Sequence, residues 1–481
     1  MNGIIKLLGF GFLYFFLSAN CLRAQSLDFD IRMGEQAAEQ IKQEMGHYKH
    51  PVTSAYVQQI GDRLIQHLKA PKFEYNFTIV EMKEPNAFAL PAGHIYISRG
   101  LLCLTNTEDE IAGILGHEIV HSELRHSVKQ MRKAIIPAIL QIPGELVGVF
   151  VNEQMGSLIN TPIAAGNELF LASYSRKHER EADAIGAKLM ASAGYDATHL
   201  PQVLHNLSVL IKEITGEEEE FSYFDSHPYT PRRVSDLHKE IATLEYPQKP
   251  GITTTKEDYL KRITGIIVGD NPAHGIFREN KFLHPDLKLC VEFPKEWITD
   301  NKPTVVGALD KDDNQNIIVL GMAKENNAPA EIAEGFVKNL DKEHGIKPDT
   351  IISSKVNGIP AYWVKITDNS GRNPVVMQSM WFRLNEVSYQ VIGVSKPEKT
   401  ETINAAFQTV RPITQKEADS IEVKHLGYAK ANTGESIGAF NKRTGNIWNV
   451  ELTAAMNNVK KDVKLESGQL LKIVTKERYI K

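Results

Sequence analysis

The sequence predicts a multidomain protein with three structured parts: a mainly α-helical domain with a small β-sheet, an α+β sandwich, and a small α/β C-terminal module. Apolar residues recur at three- and four-residue spacing from about residue 28 to 244, as in buried helices. From about residue 270 to 414, several stretches alternate apolar and polar residues like antiparallel strands, with two helical stretches among them. The remainder, from about residue 421 to 481, combines short helical and strand-like stretches.

The composition is that of an ordinary globular protein. The 481 residues are 42% hydrophobic and 24% charged, with a formal net charge of −4. This length allows about two to four domains. No basic excess indicates nucleic-acid binding, so no nucleic-acid partner is expected. Cys103 and Cys290 lie in apolar surroundings and are predicted to be buried free thiols, because three cysteines cannot form a disulfide scaffold.

Residues 1–24 have the layout of a secretory signal peptide. Lys6 precedes an almost uncharged apolar run at residues 7–17, and small and polar residues then lead to the expected cleavage site after Ala24. A retained anchor is one alternative, although the run is short for a bilayer span. A lipid attached at Cys21 is another. The protein is therefore expected to be periplasmic or secreted, without a transmembrane span after signal removal.

A second apolar stretch covers residues 134–175. Three prolines interrupt it, and Gln141 and Glu145 make a membrane span implausible. We expect buried helices or a lid beside the active site, with a membrane-facing surface as the weaker alternative.

The stretch "ILGHEIVHSELRHS", Ile114–Ser127, places two histidines four residues apart on a predicted helix. His117 and His121 project from one face about one turn apart, so both imidazoles can bind one metal ion. Zinc favours such ligands, and a catalytic zinc needs a third protein ligand and an open position for water. Glu118 is placed to act as the general base toward that water. The alternative is a chance match on a solvated helix.

A second charged helix supports the zinc hypothesis. In "YSRKHEREADAIGAKLM", Glu179 and Asp183 are again four residues apart. Glu179 can supply the third ligand, and Asp183 lies one turn on, where it can hydrogen-bond a ligating imidazole and set its tautomer. Alone, this segment would be interpreted as a solvated helix face. Together with the first motif, it predicts one Zn²⁺ per chain.

Four separated motifs, "NAFALPAGHIYISRGLL", "HEIVHSELRH", "SRKHEREADAIG" and "SHPYTPRR", occur in an order that resembles the gluzincin metallopeptidases. This group includes the CAAX prenyl endopeptidases, HtpX, OMA1 and the periplasmic BepA-like proteases. The resemblance runs from about residue 34 to 244 and implies a mainly α zincin-like metallopeptidase domain over residues 28–246. It implies His117, His121 and Glu179 as zinc ligands and Glu118 as the catalytic base.

The resemblance also implies roles for residues outside the two helices. His227 matches a histidine that reaches the zinc in BepA-like relatives and holds the enzyme latent, although a capping or surface role is the alternative. Arg233 matches an arginine suited to stabilising an oxyanion. A substrate-binding strand is implied at Asn86, Ala87, Phe88, Ala89 and Leu90, and an exposed edge strand binds peptide backbone without demanding a sequence. Arg125 and His126 are expected to support the site from behind, since their spacing turns them off the metal face.

The resemblance changes after residue 244. Residues 247–275 are expected to be a linker or connector. Residues 276–414 loosely resemble the PsbP/Mog-type α+β sandwich. Residues 415–481 resemble a degenerate LysM-type module, which implies N-acetylglucosamine glycans such as peptidoglycan, or an envelope protein, as a partner. An unrelated α/β cap is the alternative for this last module.

Taken together, these patterns predict a periplasmic or secreted zinc endopeptidase. Its substrates would be extended or misfolded protein segments, plausibly within envelope protein quality control. The alternative is a largely latent chaperone or binding protein of the cell envelope. That alternative is motivated by the gating histidine and by a non-catalytic tail of more than 200 residues.

Overall fold

A computed structural model describes residues 27–128, 174–215, 223–228, 231–245, 249–313, 315–369 and 374–481. The predicted signal peptide, with Cys21 and Ala24, lies outside these residues. So does most of the proline-interrupted stretch, residues 134–173. Within the described part of the chain, no helix combines the length and apolar character that a membrane crossing requires.

The helices are distributed along the whole chain. They are α1 (27–44), α2 (Pro51–Ile65), α3 (Arg99–Leu104), α4 (Glu108–Glu123), α5 (Arg176–Ser192), α6 (His199–Thr215), α7 (Tyr223–Ser226), α8 (Pro231–Ile241), α9 (Lys256–Ile263), α10 (Pro329–His344), α11 (Thr400–Phe407), α12 (Gln415–Asp419), α13 (Ile437–Thr444) and α14 (Val450–Met456).

The strands fall into one short group before the α4 helix and a long series after residue 275. They are β1 (Asn76–Val80), β2 (Ala87–Ala89), β3 (His94–Ser98), β4 (Ile276–Arg278), β5 (Lys281–His284), β6 (Leu289–Glu292), β7 (Ile298–Asn301), β8 (Val305–Leu309), β9 (Ile317–Met322), β10 (Thr350–Val356), β11 (Ile359–Asp368), β12 (Val375–Leu384), β13 (Val387–Ser395), β14 (Arg411–Pro412), β15 (Glu422–Lys430) and β16 (Leu470–Arg478). A helical N-terminal half and a β-rich C-terminal region are confirmed.

The N-terminal half contains a small three-stranded sheet. Its order is β1-β3-β2, with β1 parallel and β2 antiparallel to β3. Phe77 and Ile79 of β1 and Ile95 and Ile97 of β3 are all buried in the adjoining core. A 3₁₀ turn at Pro91–Gly93 connects β2 to β3. Strand β2 therefore forms one edge of this sheet.

Helices α4 and α5 cross at two glycines. A Cβ on Gly116 would lie 3.3 Å from the carbonyl oxygen of Gly186, and a Cβ on Gly186 would lie 3.1 Å from the Cα of His117. The two backbones therefore approach more closely than larger side chains would allow. Each helix has a side-chain N-cap, Thr107 for α4 and Ser175 for α5. This crossing brings the two charged motifs of the sequence together.

The middle region is built on a seven-stranded antiparallel sheet in the order β10-β11-β12-β13-β9-β8-β7. One face, with Met380 and Phe382, shares a core with residues of the four-stranded sheet β14-β6-β5-β4. The other face, with Met377 and Trp381, packs against apolar residues of α10. The alternating stretches predicted as strands are therefore confirmed as strands.

The C-terminal region has the order β15-α13-α14-β16, and β15 pairs with β16 along nine residues. This region contacts the segment that follows the N-terminal half. Residues 265–268 hydrogen-bond to β15, with Gly265 N donating to Leu426 O at 2.8 Å and Val268 N to Lys424 O at 2.9 Å. Helix α9 is also buried against α2. Part of the segment interpreted as a connector, residues 247–275, therefore belongs to the N-terminal core.

Candidate metal centre

Four potential ligands converge between α4, α5 and the segment after α7. The ligand atoms of His117, His121, Glu179 and His227 all lie within 4.8 Å of one another, and all four side chains are buried. His117 Nε2 lies 3.0 Å from His121 Nε2 and 3.2 Å from His227 Nδ1. Glu179 Oε1 lies 3.3 Å from His121 Nε2 and 3.1 Å from His227 Nδ1. The structure thus brings together the three predicted ligands and the predicted gating histidine.

These separations fit a tetrahedral metal ion. Ligand atoms about 2.0–2.1 Å from a tetrahedral zinc lie about 3.3 Å from one another. The four distances above run from 3.0 to 3.3 Å. Three imidazole nitrogens and one carboxylate oxygen also form a ligand set that zinc accepts. The cluster could therefore hold one metal ion without rearrangement of the helices.

Asp183 contacts the far side of the first histidine ring. Its Oδ1 lies 3.0 Å from His117 Nδ1. This contact favours the tautomer with a proton on Nδ1 and leaves the Nε2 lone pair facing the other ligands. Burial opposes protonation, but Asp183 and Glu179 outweigh it and raise the pKa of His117 to about 9, so binding of a metal ion at Nε2 would release a proton. The carboxylate predicted to orient a ligand is therefore in position.

Arg233 joins the same two carboxylates. Its Nη1 lies 2.7 Å from Glu179 Oε2, and its Nε and Nη2 lie 2.5 and 2.8 Å from the two oxygens of Asp183. Burial opposes ionisation, yet nearby His227 and Arg233 hold the pKa of Glu179 well below its usual value. Arg233 likewise helps to lower the pKa of Asp183 against the effect of burial. Both carboxylates are thus held in the ionised form.

Glu118 is buried without a conventional partner. The side chain is 0% exposed, and neither carboxylate oxygen receives a hydrogen bond from the residues that the structure describes. His227 Nε2 lies 3.3 Å from Glu118 Oε1 but is not aligned for a hydrogen bond. Burial raises the pKa of Glu118. A buried carboxyl with a raised pKa beside a ligand cluster is suited to accepting and returning a proton.

Two tyrosines pack on the ligand rings, and the sequence analysis assigned neither to the site. The Tyr174 ring stacks on His121, with centroids 3.8 Å apart, and the Tyr223 ring stacks on His227 at 4.4 Å. Both tyrosines are buried. Tyr223 precedes His227 by four residues, and Tyr174 directly precedes the N-cap of α5. These positions are the sequence features from which a contact between the tyrosines and the ligand rings could have been predicted.

Arg125 and His126 lie behind the metal face, in agreement with the expectation from their spacing. His126 Nδ1 lies 3.1 Å from His121 Nδ1, the nitrogen opposite the ligand atom. Arg125 Nη2 donates to Asp30 at 2.8 Å and so ties the end of α4 to α1. Neither side chain supplies a fourth ligand.

The strand expected to bind substrate is covered in this structure. Residues 86–90 are all at most 3% exposed. The carbonyl oxygen of Ala89 accepts a 2.7 Å hydrogen bond from Ser127 Oγ, and the Tyr174 hydroxyl lies 3.5 Å from the same oxygen. One backbone acceptor that an added strand could use is therefore bonded within the chain.

A helix with the HExxH pattern, whose histidines could share a metal ion with a glutamate from a second helix, is typical of helical metallopeptidase domains. Comparison with known families agrees with this class. The model of peptidase family M48 matches residues 51–241. Residues 51–241 are therefore similar to the peptidase domain of family M48.

Individual relatives point to the same group. The beta-barrel assembly-enhancing protease of Yersinia pestis is 26% identical over 251 residues, 51% of this chain and 50% of that protein. The mitochondrial metalloendopeptidase OMA1 of Arabidopsis thaliana is 37% identical over 161 residues, 33% of this chain and 30% of that protein. The chain thus spans about half the length, or less, of these curated relatives.

Among solved structures, cyanobacterial PsbP from Synechocystis sp. PCC 6803 matches 30% of this chain and 98% of its own length. Its sequence identity is 10% and the TM-score is 0.22. A TM-score of this size carries no assignment of the middle region.

Proposed function

We propose that this chain is a zinc-dependent endopeptidase of the cell envelope, periplasmic or secreted, that hydrolyses peptide bonds in extended or misfolded proteins. The observation that carries the proposal is the convergence of His117, His121 and Glu179 on one point with Glu118 beside them. The M48 match over residues 51–241 supports the same reaction class. The name of the bacterial relatives, beta-barrel assembly-enhancing protease, supports a role in envelope protein quality control.

The chain's own residues support a hydrolytic mechanism. His117, His121 and Glu179 would hold the zinc ion, which supplies Lewis-acid activation of water and of a scissile carbonyl. Glu118 takes a proton from the attacking water and returns it to the leaving amine, a task suited to its raised pKa. Asp183 orients the His117 ring through Nδ1. Exclusion of solvent from the buried site strengthens each of these electrostatic contacts.

The contacts of Arg233 favour a different role from the one its motif implied. Its guanidinium is engaged by Glu179 and Asp183 and is 5% exposed. In this arrangement its donors face ligand carboxylates rather than a place where an oxyanion would develop. We propose that Arg233 positions Glu179 and Asp183, and that it is available to an oxyanion only after a rearrangement.

His227 is proposed to keep the site latent. It occupies the fourth ligand position, next to Glu118, and is 0% exposed like His117 and His121. An open position is what a catalytic zinc needs for water. Displacement of the segment that carries His227 would create that position and uncover Glu118. The covered β2 strand is consistent with the same closed state.

The test combines metal analysis with proteolysis of unfolded casein by the mature chain. We expect one zinc per chain, loss of activity with a chelator, and recovery on adding zinc. The His227→Ala variant should cleave faster than the parent if His227 plugs the site. A zinc-free protein, or activity that persists through chelation, would contradict the mechanism.

A second candidate is a latent chaperone or binding protein, favoured by the complete burial of Glu118 and of the histidine ligands. It predicts no proteolysis by either the parent or His227→Ala while unfolded proteins are still retained. The PsbP-like assignment of residues 276–414 and the LysM-like assignment of residues 415–481 stay predictions. Sedimentation of the chain with peptidoglycan, compared with a chain ending at residue 414, tests the glycan partner.

A further inference from the structure

A buried lysine from the C-terminal region reaches into the N-terminal half. Lys472, on β16, is 0% exposed. Its Nζ donates three hydrogen bonds, each 2.9 Å long, to the backbone carbonyls of Cys103, Leu104 and Thr105. Three ammonium donors thus meet three acceptors that lie more than 360 residues away in the sequence.

These carbonyls form the C-terminal end of α3. The carbonyls of Leu101 and Leu102 are bonded by Thr105, through its backbone N–H and its hydroxyl. The next three carbonyls have no further turn of helix to bond them, so they need donors from elsewhere. Asn106 Nδ2 donates to the carbonyl of Leu104 at 3.2 Å, and Lys472 donates to all three. A cation is also favourable at the negative end of a helix. Lys472 supplies the donors and, when protonated, the charge, while burial lowers its pKa to about 7.

The segment that Lys472 holds leads directly into the metal-binding helix. Thr105 is followed after one residue by Thr107, the N-cap of α4. Glu110, in the first turn of α4, is 2% exposed and accepts a 2.5 Å hydrogen bond from Asn106 N. Its carboxylate also attracts Lys472 electrostatically. Lys472 therefore hydrogen-bonds to residues 103–105 and attracts the carboxylate of Glu110, on either side of the start of α4.

Apolar packing reinforces this junction. Residues from both halves belong to one continuous core, which includes Ile111 and Leu115 of α4. The members contributed by the C-terminal region are Leu426, Trp448, Met456 and Val474. The C-terminal region is thus packed against the metal-binding part of the chain.

We propose that Lys472 is a positioning residue for the metal-binding helix, and that the C-terminal region is an integral support of that helix rather than an independent appended module. The proposal rests on the proposed metal site only because α4 carries His117 and His121. Lys472 touches neither the ligands nor the space between them. It acts by fixing the end of α3 and the start of α4.

The test compares Lys472→Met with Lys476→Met in the full chain. Lys476 lies on the same strand but is half exposed and pairs with Glu422 at the surface. Hydrogen exchange resolved by residue should show amides 103–112 exchanging on the order of tenfold to hundredfold faster in Lys472→Met, because a charge-assisted buried network is lost. Its zinc dissociation constant should rise on the order of tenfold. Lys476→Met should change neither.

A purely structural role gives a different result. If Lys472→Met lowers Tm while exchange at residues 103–112 and zinc affinity match those of Lys476→Met, the proposal is wrong. If Lys472→Met does not fold, the test is amide hydrogen exchange of the folded parent protein at increasing denaturant concentration. The proposal requires β16 and residues 103–112 to open together, and separate opening of β16 at lower denaturant overturns it. If the parent binds no zinc, the proposed function fails, while the exchange results still decide the role of Lys472.

Discussion

Two buried charge clusters among the described residues differ in how completely their polar atoms are paired. Around Lys472, three ammonium donors meet three carbonyl acceptors, and all three distances are 2.9 Å. Around Glu118, imidazole nitrogens face one another at 3.0 and 3.2 Å, and both carboxylate oxygens of Glu118 lack a hydrogen bond from the described residues. In the first cluster every ammonium donor has a carbonyl acceptor. In the second, polar atoms are left without a hydrogen-bond partner among the described residues.

This difference in pairing distinguishes a cluster that stabilises the fold from one suited to a functional role. A fully satisfied buried network stabilises one arrangement of the chain, because every alternative leaves charges or carbonyls unpaired. A buried polar group without a partner costs stability and persists where it serves another purpose. Mutations in the two clusters should therefore affect stability in opposite ways.

The largest effect is expected for Glu118→Gln. Loss of the general base should lower the rate of casein cleavage by about 10²–10⁴-fold, with zinc still bound. Because the variant removes an unpaired buried carboxyl, its Tm without metal should stay at least as high as that of the parent. Rate, zinc content and Tm are measured on the same preparation. Retained activity would refute the assignment of Glu118 as the general base. A large fall in Tm would show that the unpaired Glu118 carboxyl does not destabilise the protein.

Lys472→Met should behave in the opposite way. Breaking a buried charge network from one side should lower the free energy of unfolding by about 3–5 kcal/mol. The double variant Lys472→Met/Glu110→Gln should lose less than the sum of the two single variants, since the remaining charge is also removed. Denaturant titration of the four proteins gives the coupling. Additive losses would show that Glu110 and Lys472 do not act as a pair.

Asp183→Asn tests whether the metal cluster depends on its supporting contacts. The change weakens the link to His117 and the ion pair with Arg233, so the zinc dissociation constant should rise about 10–100-fold. The exposed Asp236, paired with Arg232 and Lys239, is the matched control, and Asp236→Asn should bind zinc like the parent. Equal affinities in both variants would remove Asp183 from the site.

The smallest effect is expected at Glu417, a surface pair with good geometry. Its oxygens accept hydrogen bonds from Arg411 at 2.7 and 2.9 Å, which helps to lower the pKa of Glu417 to about 2. Because the pair faces solvent, Glu417→Gln should cost less than about 1 kcal/mol.

The pH dependence of this cost has a definite sign. The folded pKa lies below the unfolded value, so the contribution is fully present above about pH 4.5 and is lost as pH falls through about 2. The Tm difference between parent and variant should therefore shrink between pH 5 and pH 2. If Glu417→Gln cost as much free energy of unfolding as Lys472→Met, burial would not explain why the Lys472 network contributes more than a surface pair.

Much of the candidate site was accessible to reasoning from local sequence. His117, Glu118 and His121 share a helix, and Glu179 and Asp183 share another, so each group's relative placement follows from helical geometry. The pairing of the two groups came from motif order, and the structure supports it with ligand distances of 3.0–3.3 Å. The main strands of the middle region also followed from alternation.

Other features depended on contacts that no local pattern records. The guanidinium of Arg233 turned out to be engaged by Glu179 and Asp183, which changes its proposed role. Residues 265–268, within the expected connector, pair with β15 of the C-terminal region. Lys472 looked like one of many lysines in a strand. Its burial follows from its hydrogen bonds to carbonyls at the end of α3, which lie far away in the sequence.

The sequence alone determined which side chains could share a metal ion, because residues four apart on a helix have a fixed mutual geometry whatever surrounds them. Tertiary structure decided how the two helices meet, that His227 lies in the cluster rather than at the surface, and which lysine is buried against α3. These outcomes depend on the close crossing at Gly116 and Gly186 and on carbonyls left open at a helix end. Both arise between segments far apart in the chain, where spacing in the sequence sets no distance.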